Sequence, residues 1–161
     1  TQSHRNVILD DNKTVYLNDY GAEWSAYNTC STPRHPSLVE KKSKKILTKA
    51  ISIDNFSSKS RKPDFIKIDT QGSEIDILKG GNTILKNCSI IYLECPIMEY
   101  NLGAPSFSEY TSYMKKIGYS PYEICEIHHV DKALVQIDIL FLKTSILEMI
   151  NPNKKILNIF K

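Results

Sequence analysis

Two acids, Asp69 and Glu94, stand at the ends of apolar stretches in DFIKIDTQGSEIDILKGG (64–81) and SIIYLE (89–94). A carboxylate held at such a place can take a proton from a hydroxyl, so the pair is the natural material of a general base. Spacing alone does not say which of the two would act, and for Asp69 a simple helix cap is the other reading. Between them Gln71 and Gly72 read as a tight turn, where the glycine accepts a backbone closed to other residues and the glutamine offers an amide to a ligand. Glu74 falls in the first turn of a following helix, where the helix dipole favours an anion. Lys67 lies inside an otherwise apolar run, and a lone ammonium there is costly without a partner, with Glu94 or Asp76 as candidates. His128 and His129 separate the last two apolar runs, leaving open a histidine base or metal ligand. Asp138 sits within the second of those runs and can join Lys67 in a polar core cluster. Trp24 and Tyr27 either cover a ligand or anchor a loop.

These residues need a frame. Phe65, Ile66 and Ile68 form a run too short for a helix, which predicts a strand covered on both faces, begun by Pro63. After Asp69 the period changes: Ile75, Ile77 and Leu78 follow helical spacing, with Ser73 or Thr70 as cap and Gly80-Gly81 as stop. SIIYLE, bounded by Asn87 and Pro96, is the next strand. Two apolar runs joined through a helix predict a βαβ unit with parallel neighbours, which puts Asp69 and Glu94 at carboxyl ends about 5 Å apart. That edge is where open α/β sheets bind ligands. Phe107, Tyr110, Met114 and Ile117 predict another helix between Ser106 or Ser108 and Gly118. Residues 119–127 and 134–142 predict two strands, antiparallel because HHVDK is too short for a crossover. Upstream, 7–9 and 14–17 read as a small peripheral hairpin, 19–36 as a long irregular loop, 50–53 as a strand ending at Asp54, and 57–63 as an exposed connector. Pro152 breaks the tail into a short helix and a basic end.

The 161 residues, 41% hydrophobic and 24% charged, suffice for one core and not for two. One domain over 1–144, with its core at 46–143, and a tail over 145–161 is the expectation. No apolar run approaches the about eighteen residues of a membrane span, and TQSHRNVILDD carries no signal core, so no membrane is expected as a partner. The net charge of +3 is spread along the chain except at KKSKK (41–45) and the final lysines, a solvated face with no nucleic-acid footprint. Cys30, Cys88, Cys95 and Cys125 make no CxxC pair and find no histidine at zinc-finger spacing. They predict reduced thiols in a cytoplasmic protein and no metal knuckle.

The same segments carry a family resemblance. DFIKIDTQGSEIDILKGG, IIYLE (90–94), GAPSFSEYTSYMKKIGY (103–119), LVQIDILFLK (134–143) and, more weakly, ISIDNF (51–56) resemble the second half of an FkbM-type methyltransferase, a branch of the S-adenosylmethionine-dependent class I enzymes. The resemblance implies a Rossmann-like α/β sheet, mostly parallel with a terminal antiparallel hairpin. It implies S-adenosylmethionine as cofactor and methyl transfer to a hydroxyl of a sugar, glycan or other small-molecule acceptor. Asp69 matches the end of the family's KID motif and Glu94 the acid ending the next strand, so both are expected at the catalytic site. Gln71, Gly72 and Glu74 are expected on the cofactor, and no residue is assigned to a metal. The family opens with a strand and a glycine-rich turn, and no Gly-x-Gly occurs here before residue 72. The chain is therefore expected to be the carboxy-terminal portion of the domain, its amino-terminal cofactor half missing, and to bind cofactor poorly by itself. Two other readings compete: a non-catalytic α/β module that forms homo-oligomers through an exposed sheet edge, and a metal-assisted enzyme using Asp69, Glu94 and a histidine.

Overall fold

Side-chain alternation sorts the central segment of the computed structural model, which describes residues 7–9, 14–19, 32–33, 44–57, 63–99 and 101–150. In β5 (Phe65–Ile68) Ile66 and Ile68 are buried while Phe65 and Lys67 face outward. Phe65 is 49% exposed, so the strand expected to be covered on both faces is covered on one. Only the two isoleucines share a face at the strand's period of two, and the apolar run had concealed that alternation. β6 (Ile90–Pro96) repeats the pattern, burying Ile91, Leu93 and Cys95. The two strands pair in parallel from Phe65↔Ile90 to Ile68↔Leu93, and α2 (Glu74–Lys79) lies between them in sequence, completing the expected βαβ unit.

β9 (Ala133–Lys143) pairs antiparallel with β6 on one side and with β8 (Tyr119–Val130) on the other, giving the sheet order β5-β6-β9-β8. The hairpin turn is only Asp131-Lys132, with Asp131 at φ 54°, so both strands are longer than expected and take in His128 and His129. β5, β6 and β8 run the same way and β9 alone is reversed. Lying between β6 and β8, this one strand creates two antiparallel ladders, so the sheet is mixed where a mostly parallel one was expected. The terminal antiparallel hairpin is present as expected.

The core lies on one face of this sheet, under α2 and α3 (Phe107–Lys116). Ser106 starts α3: its backbone N–H and its hydroxyl donate to the Glu109 carboxylate at 2.7 and 2.6 Å. The spacing that predicted the helix also sets its buried stripe, since Tyr110 and Met114 are fully buried and Phe107 and Ile117 pack at the margin. Removing a side chain such as Met114 from that stripe costs about 2–5 kcal/mol through lost transfer energy and the cavity left behind. α4 (Thr144–Ile150) follows β9 directly.

The amino-terminal segments correct an expectation. β1 (Val7–Leu9) and β2 (Thr14–Asp19) do not form a hairpin together. They flank β4 (Lys44–Ser52), β1 in parallel and β2 antiparallel, in the order β1-β4-β2. β4 begins within the lysine run, and Lys44 and Lys45 are exposed on it, solvated as expected but extended. A two-stranded β-ladder joins β3 (Thr32–Pro33) to β7 (Asn101–Leu102). The rest of the expected 19–36 loop, with Trp24 and Tyr27, lies outside the described residues, as do Cys30, most of the 57–63 connector and the tail beyond 150.

After β4 the chain turns through α1 (Ile53–Ser57), where Asp54 ties the two sheets together. Its carboxylate accepts the backbone N–H groups of Thr83 and Ile84, both at 2.8 Å, and its own N–H donates to the Gly80 carbonyl at 3.1 Å. Among the described residues no helix is long and apolar enough to cross a membrane.

Candidate active site

Because Ile68 lies beside Leu93, the next residues of both strands, Asp69 and Glu94, meet at one edge of the sheet, close enough for the charge of Asp69 to act on Glu94. Glu94 is half-buried. Burial first, then the charges of Asp69 and Asp138, push its carboxyl up to about 8. Lys67 Nζ lies 3.1 Å from Asp69 Oδ2 and 5.4 Å from the centre of the Tyr92 ring. The Asp69 carboxylate, through its hydrogen bond and its charge, holds that ammonium above its ordinary value. The partner expected for Lys67 was Glu94 or Asp76, yet Asp76 pairs with Lys79 at 2.7 Å and Lys67 turns to Asp69. Lys67 points from the open face of β5, so it needs no buried counter-charge.

The turn between strand and helix is held in an unusual backbone shape. Gln71 has φ 58° and Gly72 φ 111°, and a left-handed residue other than glycine costs about 1–2 kcal/mol. Glu74 supplies the restraint. Its side chain is 1% exposed, and its carboxylate accepts from Thr70 N–H (3.0 Å), Thr70 Oγ1 (3.2 Å), Gly72 N–H (3.1 and 3.0 Å to the two oxygens) and the Tyr110 hydroxyl (2.5 Å). From the other side buried Asn101 donates to the Gln71 carbonyl at 2.5 Å. The Gln71 amide is thereby aimed at Glu94, donating to Oε2 at 3.1 Å. Of the three residues expected on a cofactor, Gln71 and Gly72 form the turn at the edge, whereas Glu74 lies behind it with both oxygens committed to the protein.

The direction of β8 decides where the histidines lie. Running parallel to β6, it ends at the same edge as Asp69 and Glu94, and the hairpin register sets Glu94, Asp138 and Glu126 side by side across three strands. Asp138 is 3% exposed and accepts from Tyr92 OH at 2.8 Å and Gln136 Nε2 at 3.1 Å, with His128 Nε2 at 3.2 Å. Its polar cluster is thus built on Tyr92, Gln136 and His128, in place of the Lys67 contact expected. Burial and the Asp138 carboxylate raise the Tyr92 hydroxyl far above its ordinary value, so it stays a donor.

The comparison with known families is decided by one match: the FkbM methyltransferase domain corresponds to residues 5–121. The chain belongs to the FkbM methyltransferase family. No curated protein and no solved structure gives a match. The FkbM match takes in β1 and β4, which the resemblance had covered weakly or not at all, and it ends at Pro121, ahead of Glu126, His128 and Asp138. Four residues that organise the FkbM turn and frame were not singled out from sequence: Asn101, Tyr110 as a donor to Glu74, Tyr92, and Asp54 as a clamp. Tyr92 had a signal, since it shares the period-two face of Glu94. Asn101 had none, because its two-residue strand is defined only by a distant partner.

Proposed function

We propose that this chain acts in S-adenosylmethionine-dependent O-methylation of a sugar or glycan hydroxyl, with Asp69 and Glu94 at the reacting centre. Membership of the FkbM family supports methyl transfer. The observation that carries the assignment of residues is the parallel β5–β6 pairing, which sets the two carboxyl groups together beside a clamped left-handed turn. The donor set suits the cofactor's sulfonium end: carboxylates and a side-chain amide face a cation, with Glu74 positioning the turn from behind. When bound, S-adenosylmethionine supplies an electrophilic methyl group. The residues of this chain align the acceptor hydroxyl and receive its proton as the new bond forms. Glu94, with its carboxyl near 8, is the acceptor of that proton in its ionised form, while Asp69 is held in place by Lys67 at 3.1 Å.

The test is transfer of isotopically labelled methyl groups into a panel of monosaccharides and glycans, comparing wild type with Glu94→Gln and Asp69→Asn. Loss of about 10²–10⁴-fold in rate is expected for removal of the base. Wild-type transfer that both variants retain would remove these acids from the reaction. A second reading has one observation in its favour: β5 ends the four-stranded sheet among the described residues, with Phe65 half-exposed on it. A non-catalytic module pairing through that edge would sediment as a dimer that Phe65→Lys dissociates.

A further inference from the structure

Beyond the stretch matched to the family, the β8–β9 hairpin gathers a second set of donor atoms at the same edge. Glu126 and His128, two apart on β8, share a face, and Asp138 on β9 lies directly opposite Glu126. One donor atom from each lies within 4.8 Å of the others. His128 Nε2 is 3.2 Å from Asp138 Oδ1 and 3.9 Å from Glu126 Oε2. Ligands about 2.0–2.2 Å from one ion in tetrahedral or octahedral array stand roughly 3.0–3.5 Å from each other. The first distance already meets that requirement. The second meets it after a small rotation of Glu126, whose side chain is 63% exposed and free to turn.

We propose that Glu126, His128 and Asp138 form a site for a divalent transition-metal ion of the Mn²⁺, Co²⁺ or Zn²⁺ class. Two features support it besides the distances. The buried ligand, Asp138, is oriented by Tyr92 OH and Gln136 Nε2, donors outside the ligand set, in the way outer-sphere hydrogen bonds aim metal ligands. The row also holds more carboxyl groups than ammonium groups: Asp69, Asp138 and Glu126 stand beside Glu94, which the fold favours in its protonated form, and Lys67 is the one ammonium among the described residues of this cluster. An imidazole among the ligands favours a transition ion over Mg²⁺ or Ca²⁺, which prefer all-oxygen shells. The set escaped sequence spacing because Glu126 and Asp138 belong to different strands and meet only through the hairpin register. Three protein ligands leave positions for water or acceptor hydroxyls. That last role rests on the methyltransferase reading, whereas binding of the ion does not.

The experiment is calorimetric titration of the metal-free chain with Co²⁺ and with Mg²⁺, followed by visible absorption of the Co²⁺ form. One equivalent of Co²⁺ with d–d absorption is expected, with Mg²⁺ at least about tenfold weaker. Glu126→Gln and His128→Ala each weaken Co²⁺ by at least about tenfold, while His129→Ala, at the exposed neighbouring histidine, leaves it unchanged. Circular dichroism checks that the variants remain folded, and Glu126→Gln alters only an exposed side chain. Absence of Co²⁺ binding, or equal binding by wild type and both ligand variants, overturns the proposal. Stoichiometric Co²⁺ without methyl transfer leaves the metal site standing and removes the methyltransferase reading. Methyl transfer without Co²⁺ binding does the reverse.

Discussion

Tyr110→Phe removes one hydroxyl from the interior, and its cost measures how firmly the turn at Gln71 is held. The hydroxyl is fully buried and donates to Glu74, whose other bonds run to Thr70 and Gly72. A hydrogen bond to a charged group contributes about 1.5–3 kcal/mol, and the carboxylate loses one of its donors in a place water does not reach. The expected destabilisation is about 1.5–3 kcal/mol, or roughly 3–12 °C in Tm at about 2–4 °C per kcal/mol for a chain of this size. Glu74→Ala goes further, because it leaves the half-buried N–H groups of Thr70 and Gly72 without their acceptor, at up to about 1–3 kcal/mol each, and leaves a cavity. About 3–5 kcal/mol is expected, a large share of the about 5–15 kcal/mol that holds a domain folded. Urea denaturation of both single variants and the double variant gives the coupling, expected at about 0.5–3 kcal/mol because the two groups touch. If Tyr110→Phe stays within about 0.5 kcal/mol of wild type, or the two changes prove additive, Glu74 is not the restraint on the turn and the argument from its burial fails.

Other perturbations read different parts of the frame. The Glu94 carboxyl is raised from 4.5 to about 8 in the folded chain, so the fold favours its protonated form. The resulting stability is complete below about 4.5 and is lost as pH rises through about 8, by less than the full shift implies because the group is half-exposed. Glu94→Gln, always neutral, should therefore gain on wild type between pH 5 and pH 9 in urea midpoints, and a constant difference would contradict the assignment. Asp54→Ala should cost about 1–3 kcal/mol by freeing the Thr83 and Ile84 N–H groups, read by thermal melting. Burial raises the thiols of Cys88 and Cys95, the latter to about 12, so peptide mapping after brief alkylation of native protein should find exposed Cys125 modified and these two protected.

What could be read from sequence depended on how local the cause was. The βαβ unit was legible because strand, cap, helix and second strand follow one another within thirty-odd residues, and the meeting of Asp69 with Glu94 follows from that topology. α3 was legible because Ser106 and the Tyr110–Met114 stripe are a helix's own periodicity. The partner of β1 was not, since β4 lies some forty residues downstream and inserts between two segments that look like a hairpin. Nor was the role of Glu74, for a first-turn acid looks the same whether it faces solvent, a cofactor or the turn behind it. Only the burial contributed by Tyr110, from another helix, decides among these. His128 needed the direction of β8, which no spacing encodes.

The grip of Asp54 on the segment after α2 has a bearing on how the chain comes apart. It fastens the amino-terminal three-stranded sheet to the layer that bears the acids, with Ile8 of β1 also resting against the common core. Fraying that begins at β1 or β2 therefore pulls on the crossover itself, and amide exchange at Thr83 and Ile84 would keep step with exchange in β4. A lesion in the least chemical part of the molecule would then be felt as a slackening of the turn at Gln71.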